Sequence, residues 1–328
     1  APDWFRDAKF GIFIHWGPYS IPAFAPHKTA MDQLGDAGGE VSFAATPYSE
    51  WYQNTMLFED GATAAYHRET YGDDYSYERF GEAFNAALEG WDPVSWAQLF
   101  RRSGARYVVL VTKHHDGFVL WPSDVENPNK AGWQATRDVV GELADAVRAE
   151  GLKFGVYYSG GVDWTFKHKR IESFADFMVS MPGEAEGYTA YANAHYDELI
   201  ERYQPDYLWN DIAYPSAQAS FDILAKYYNT VPEGLTNDRW ITPDGILPEG
   251  AFDKPEGLTG LLPPMPQVWD ARTPEYGMFD RILPFQWETT RGMGHSFAYN
   301  RNETDEDYIT RDGIAAMLAR SACFNGNV

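Results

Sequence analysis

Residues 107–121 read YVVLVTKHHDGFVLW, 136–151 read TRDVVGELADAVRAEG and 153–159 read KFGVYYS. The outer two begin as apolar runs of strand length. The middle one carries Val139, Val140, Leu143, Ala144 and Val147 on one helical stripe, with Thr136 or Asp138 as candidate N-cap and Gly151 as the stop. Strand, amphipathic helix and strand in that order make a βαβ unit, the building block of a parallel sheet. The same alternation continues on both sides. FGIFIHWG (10–17) is expected to be the first strand. A helix over 188–203 leads into the strand DYLWNDI (206–212), and a helix over 217–228 precedes LTNDRW (235–240). After a Pro/Gly-rich insertion (242–266), strand-like stretches recur at 285–290 and 296–299, and a final helix is predicted over 311–323. No linker, charge block or short repeat interrupts this pattern. The expectation is therefore one catalytic domain over 1–328, an α/β fold of the (β/α)8, TIM-like barrel type. The long irregular stretches 18–46 and 242–266 fall where barrels usually carry function.

Composition narrows the function classes. A formal net charge of −22 repels the phosphate backbones that Lys and Arg must neutralise, so nucleic acid is excluded as a partner. No uncharged apolar stretch reaches the eighteen or so residues needed to span a bilayer, so no membrane partner is expected and the chain reads as soluble. No signal peptide is visible, but the sequence begins at Ala1, so the compartment, cytoplasmic or secreted after loss of a leader, stays open, as does oligomeric state. The single cysteine, Cys323, rules out an internal disulfide framework and is expected to be a small buried side chain. Aromatic residues make up 16% of the chain, and Trp and Tyr offer flat apolar faces with a polar edge, suited to sugar rings.

Chemistry-bearing residues cluster where the apolar runs end: His15, then His114 and His115, Tyr157, Asp211 beside Trp209 and Asn210, and Arg239. In a parallel barrel those ends meet on one face, where active sites of such folds are built. Asp116, next to Gly117, is expected to cap a turn instead. Three histidines and an aspartate invite a metal ion, with His15, His114 and Asp211 as ligands. Against this, FIHWG supplies one histidine where metal-dependent barrel hydrolases typically place two. Adjacent His114 and His115 also point to opposite sides of a regular strand. Glycoside hydrolysis fits the inventory better, since it needs two carboxyl groups with polar and aromatic groups holding the sugar.

These residues lie in segments that resemble the retaining α-L-fucosidases of glycoside hydrolase family 29: KFGIFIHWGPYSIPAF, SEWYQNTM, YVVLVTKHHDGFVLWPS, PDYLWNDIAYP, NDRW, TPEY and WETTRGMGHSFAYNRNE. They extend over nearly the whole chain, and KHHDGF together with LWND is a specific combination. The resemblance implies exo-hydrolysis of terminal α-L-fucose from a fucosylated glycan or oligosaccharide by double displacement, with no metal and no cofactor. It implies Asp211 of LWND as nucleophile and Glu275 of TPEY as acid/base, with Glu288 of WETT as the competing acid/base or else a partner of Arg291 or a group of the pocket wall. It further implies that His15, Glu50, Trp51, His114, His115, Tyr157, Trp209, Arg239 and Phe297 line the fucose pocket, with Trp51, Trp209 and Phe297 covering the C5 methyl. Two alternatives stay open, a catalytically weak barrel that only binds fucose and the metal-dependent hydrolase. Family members continue with a last strand and a β-sandwich where this chain ends in SACFNGNV, so the barrel is expected to be incomplete at its C-terminal end or to close differently, without that sandwich. The stretch 31–48 and the 242–266 insertion are expected to reshape the side where the leaving group sits.

Overall fold

A computed structural model describes residues 1–27, 43–253 and 255–328; of the 31–48 stretch, residues 31–42 lie outside it. Five parallel strands run in the order β1 (Gly11–Ile14), β2 (Tyr107–Lys113), β3 (Lys153–Ser159), β4 (Tyr207–Asp211) and β5 (Leu235–Thr236), and three more as β6 (Ala271–Arg272), β7 (Gln286–Glu288) and β8 (Gly326–Asn327). The two sheets join at both ends. A parallel bridge links Asn237 to Ala271. On the other side the amide of Gly11 donates to the Val328 carbonyl at 2.8 Å and the amide of Val328 to that of Lys9 at 3.0 Å. Eight parallel strands thus close into the (β/α)8 ring. The expected shortfall at the C-terminal end is corrected by β8, two residues long and too short to show an alternation in sequence.

Period-two alternation sorts the strand residues. Tyr107, Val109, Tyr157, Tyr207 and Trp209 fill the barrel with Phe13, while Val108, Leu110, Phe154, Val156 and Leu208 pack outward against the helices. Helix Val139–Ala149 starts at Asp138, whose side chain accepts from the Gly141 amide, and buries Val139, Val140, Leu143, Ala144 and Val147. Each of the larger of these side chains stabilises the fold by roughly 1.5–3 kcal/mol. Ser216 caps helix Ala217–Thr230, so Asp211 has no capping duty. The N-terminal helix Asp3–Ala8 inserts fully buried Phe5 against Tyr107 and Tyr207, the first residues of β2 and β4, and so stops the barrel's lower end.

Three sequence expectations change. Residues 296–299 form no strand, because the Ser296 amide is taken by the Glu303 carboxylate and that of Ala298 by Glu50. Of the segment 235–240 only Leu235 and Thr236 form a strand, and after the Asn237 bridge to Ala271 the chain leaves the sheet. Cys323 is exposed, standing on the solvent side of helix Arg311–Cys323, where Ser321 is the one fully buried residue.

Candidate active site

The question raised by two adjacent histidines at a strand end is answered by the backbone. Register against β3 slips between Val111 and Lys113, the strand ends, and both imidazoles turn to the mouth with ring centroids 4.0 Å apart. Asp116 accepts from the Phe118 amide and from the Tyr77 hydroxyl, while Gly117 sits at φ +74°. This is the turn-capping role expected of it.

His15 lies 5.5 Å from both His114 and Tyr157, ring to ring, and stacks on Phe297 at 5.3 Å. Trp51 meets His115 edge-on at 5.2 Å. Burial holds all three imidazoles below their ordinary range, His15 to about 3, and His114 and His115 are lowered further by each other's or neighbouring positive charge. They are therefore neutral near pH 7, each with one donor and one acceptor nitrogen. Glu50 is 2% exposed and accepts from the Ser296 hydroxyl and the Ala298 amide on either side of Phe297. Burial pushes its carboxyl up to about 7.

Asp211 closes β4. It accepts from the Tyr157 hydroxyl at 2.6 Å and from Arg239 Nη1 at 3.0 Å. Burial pushes its carboxyl up, and Arg239 and Tyr157 pull it back toward the ionised form. The same Nη1 lies 2.6 Å from a Glu275 oxygen. Because both contacts end on one nitrogen, those two carboxylate oxygens stand no farther apart than the 3.0 Å and 2.6 Å legs laid end to end, about 5.6 Å. One oxygen of each carboxylate thus borders the same small space, as two carboxyl groups acting on one sugar carbon must.

The backbone is strained just after each carboxylate. Ile212 and Ala213 sit at φ +62° and +75°, and Tyr276 at +49°, a region β-branched and bulky residues avoid. The Ile212 conformation survives because Gly160 and Gly161 leave it space: both amides donate to the Asp211 carbonyl, and a Cβ on Gly161 would stand 1.8 Å from the Ile212 oxygen.

Glu288 does not join this group. It is 3% exposed and accepts from the hydroxyls of Tyr107 and Tyr207 and from the Trp209 indole at 2.6, 2.9 and 3.1 Å. Those tyrosines begin their strands, so the carboxylate lies inside the barrel beneath the mouth, and Arg291 is not its partner. Trp209 is thereby fixed as a floor, its ring against Tyr157 at 5.3 Å with the Arg239 guanidinium 4.7 Å from its centroid. Glu288→Gln would turn an amide NH2 toward these donors. It should cost about 1–3 kcal/mol of stability, read as a lower Tm, while rates on substrates with good and poor leaving groups fall in equal proportion. A loss confined to poor leaving groups would instead give Glu288 the acid role.

The sequence reading missed two tyrosines. Tyr19, 1% exposed, packs its ring 5.6 Å from His114; Tyr48, 9% exposed, lies 5.3 Å from Phe297. Neither hydroxyl has a partner among the described residues, and the same is true of Nδ1 on His15 and His114. All four lie around the site, where water or a polar ligand can pair with them. Tyr19 lies in a single 3-10 turn, Pro18–Ser20, and Tyr48 in a loop, and neither setting has a periodicity that flags it. Among the described residues no three His, Cys, Asp or Glu side chains converge as metal ligands would, and no helix is long and apolar enough to cross a membrane.

The family model for alpha-L-fucosidase matches residues 1–328. The chain belongs to the alpha-L-fucosidase family. It is 34% identical over 254 residues to the tissue alpha-L-fucosidase of Bos taurus, covering 73% of this chain and 46% of that protein, and 31% identical over 349 residues to the plasma alpha-L-fucosidase of Homo sapiens, covering 100% and 62%. It therefore spans between about half and two thirds of the length of these relatives. Among solved structures, the Thermotoga maritima alpha-fucosidase in complex with fucose is similar at 39% identity with a TM-score of 0.81, covering 100% of this chain and 67% of that one. A fucosynthase of the same organism, in complex with a fucosyl-fucosyl azide, gives 38% and 0.83 with the same coverage.

Proposed function

We propose that the chain hydrolyses terminal α-L-fucosides from glycans or oligosaccharides with retention at the anomeric carbon. The observation that carries this is the single Arg239 nitrogen holding Asp211 and Glu275 within about 5.6 Å. In the first step an Asp211 oxygen attacks the anomeric carbon as the bond to the leaving oxygen breaks, and Glu275, protonated and released from Arg239, gives that oxygen its proton. In the second, Glu275 takes a proton from water, whose oxygen attacks the same carbon and expels Asp211. Arg239 and the Tyr157 hydroxyl keep Asp211 ionised and aimed. The neutral imidazoles of His15, His114 and His115 and the carboxyl of Glu50 pair with ring hydroxyls. Phe297 and Trp51 supply apolar surface for the C5 methyl above the Trp209 floor.

Incubation with an aryl α-L-fucoside beside aryl glycosides of other sugars tests this directly. Release of the aryl alcohol from the fucoside alone is expected, with α-L-fucose as the first product by NMR. β-L-Fucose first, or no turnover of the fucoside, would overturn the reading.

A further inference from the structure

The 242–266 insertion folds back onto the proposed acid. Leu261 and Glu275 exchange both backbone hydrogen bonds, amide to carbonyl, at 2.8 and 3.1 Å, as an antiparallel pair. Beyond this pair the pairing slips by one residue, the Thr259 amide donating to the Met278 carbonyl at 3.1 Å. The two segments touch backbone to backbone: a Cβ on Gly277 would stand 1.8 Å from the Thr259 carbonyl and one on Gly260 2.5 Å from that of Glu275. This fixes the register. Directly opposed residues of an antiparallel pair project their side chains on the same face, with Cβ atoms about 4.5–5.5 Å apart. Leu262, the next residue, points the other way into a cluster with Phe279 and Trp287. Leu261 therefore stands beside the Glu275 side chain, and it is 44% exposed among the described residues.

An acid that protonates the leaving oxygen stands on the leaving-group side of the sugar, so its cross-strand neighbour does too. We propose that Leu261 is a specificity-determining residue of the leaving-group site, favouring fucosides whose aglycone presents an apolar face, an aryl ring or the C–H face of a pyranose, next to the glycosidic oxygen. This rests on Glu275 being the acid/base of a fucosidase.

The test compares wild type with Leu261→Ser and Leu261→Met on α-L-fucosyl fluoride and on aryl α-L-fucosides of graded leaving-group acidity. Fluoride leaves without an acid and has no apolar face, so its kcat/KM should stay within about twofold of wild type. In the Leu261→Ser variant all the aryl fucosides should lose about five- to tenfold in kcat/KM, the low end of an apolar pocket contact, and the Leu261→Met variant should restore it. Aryl rates unchanged by Leu261→Ser would overturn the proposal. So would a loss that steepens as the leaving group becomes more basic, since that pattern reports a displaced Glu275. Wild-type protein that leaves the fluoride untouched would refute the fucosidase reading, and this proposal with it.

Discussion

Asp211→Gly should lower kcat on an aryl α-L-fucoside by on the order of 10^4-fold or more, the scale on which loss of a covalent nucleophile is felt. The reason is geometric as well as chemical. Asp211 ends β4 on a strained turn, takes a hydrogen bond from the Tyr157 hydroxyl, and shares Arg239 with Glu275. Its removal leaves a carboxylate-sized space beside a cation. Azide fits that description, being small, anionic and nucleophilic. Attack from that space inverts the anomeric centre once, so added azide should restore part of the rate and yield β-L-fucosyl azide. The variant also orphans the Tyr157 hydroxyl, a cost of about 1–3 kcal/mol; circular dichroism and Tm separate an unfolded protein from a folded, silent one. A folded variant that retains near wild-type kcat, or one whose azide product has the α configuration, would remove Asp211 from the nucleophile's role.

The barrel was legible in sequence where its elements are long. β2 and β3 have seven residues each, and the Val139–Ala149 helix between them displays its stripe. β5 through β8 are two or three residues long, held by neighbours rather than by their own pattern; β5 and β7 fall inside the strand-like stretches 235–240 and 285–290, while no pattern announces β6 and β8. Strand ends are legible too, because a parallel barrel sends every strand's C-terminus to one face, and that groups His15, His114, Tyr157, Asp211 and Arg239. The choice between Glu275 and Glu288 was not. Both belong to late strand segments, Glu288 ending β7 and Glu275 following β6, and what separates them is depth. Glu288 lies on β7 level with the barrel's interior tyrosines, whereas Glu275 lies three residues beyond β6, lifted to the mouth and pinned by Leu261. The insertion pairs with Glu275, so it shapes the leaving-group side only if Glu275 is the acid proposed above. Its long-range partner lies outside any local pattern. Tyr48 and the φ values at Ile212 and Tyr276 were likewise invisible, since strain is imposed by the surrounding fold on residues that do not favour it.

Glu275→Ala separates leaving groups by their need for a proton. An activated aryl fucoside departs as a stable phenolate, so its first step should slow little, whereas a sugar or alkyl leaving group should lose about 10^2–10^4-fold, the usual contribution of general acid catalysis. Loss of Glu275 also leaves Arg239 Nη1 to Asp211 alone. That perturbs the nucleophile identically for every substrate, so the ratio between leaving groups, not the absolute rate, carries the assignment. The second step supplies an independent sign. With Asp211 intact the fucosyl-enzyme still forms, but water lacks its base. Azide needs none, and it would attack the covalent intermediate from the face the leaving group vacated, giving α-L-fucosyl azide. The two variants should therefore yield azides of opposite anomeric configuration from one substrate, β when Asp211 is replaced and α when Glu275 is. A folding defect cannot produce that contrast. Uniform loss across leaving groups in Glu275→Ala, with no azide product, would instead make Glu275 a group that only holds Arg239 in place.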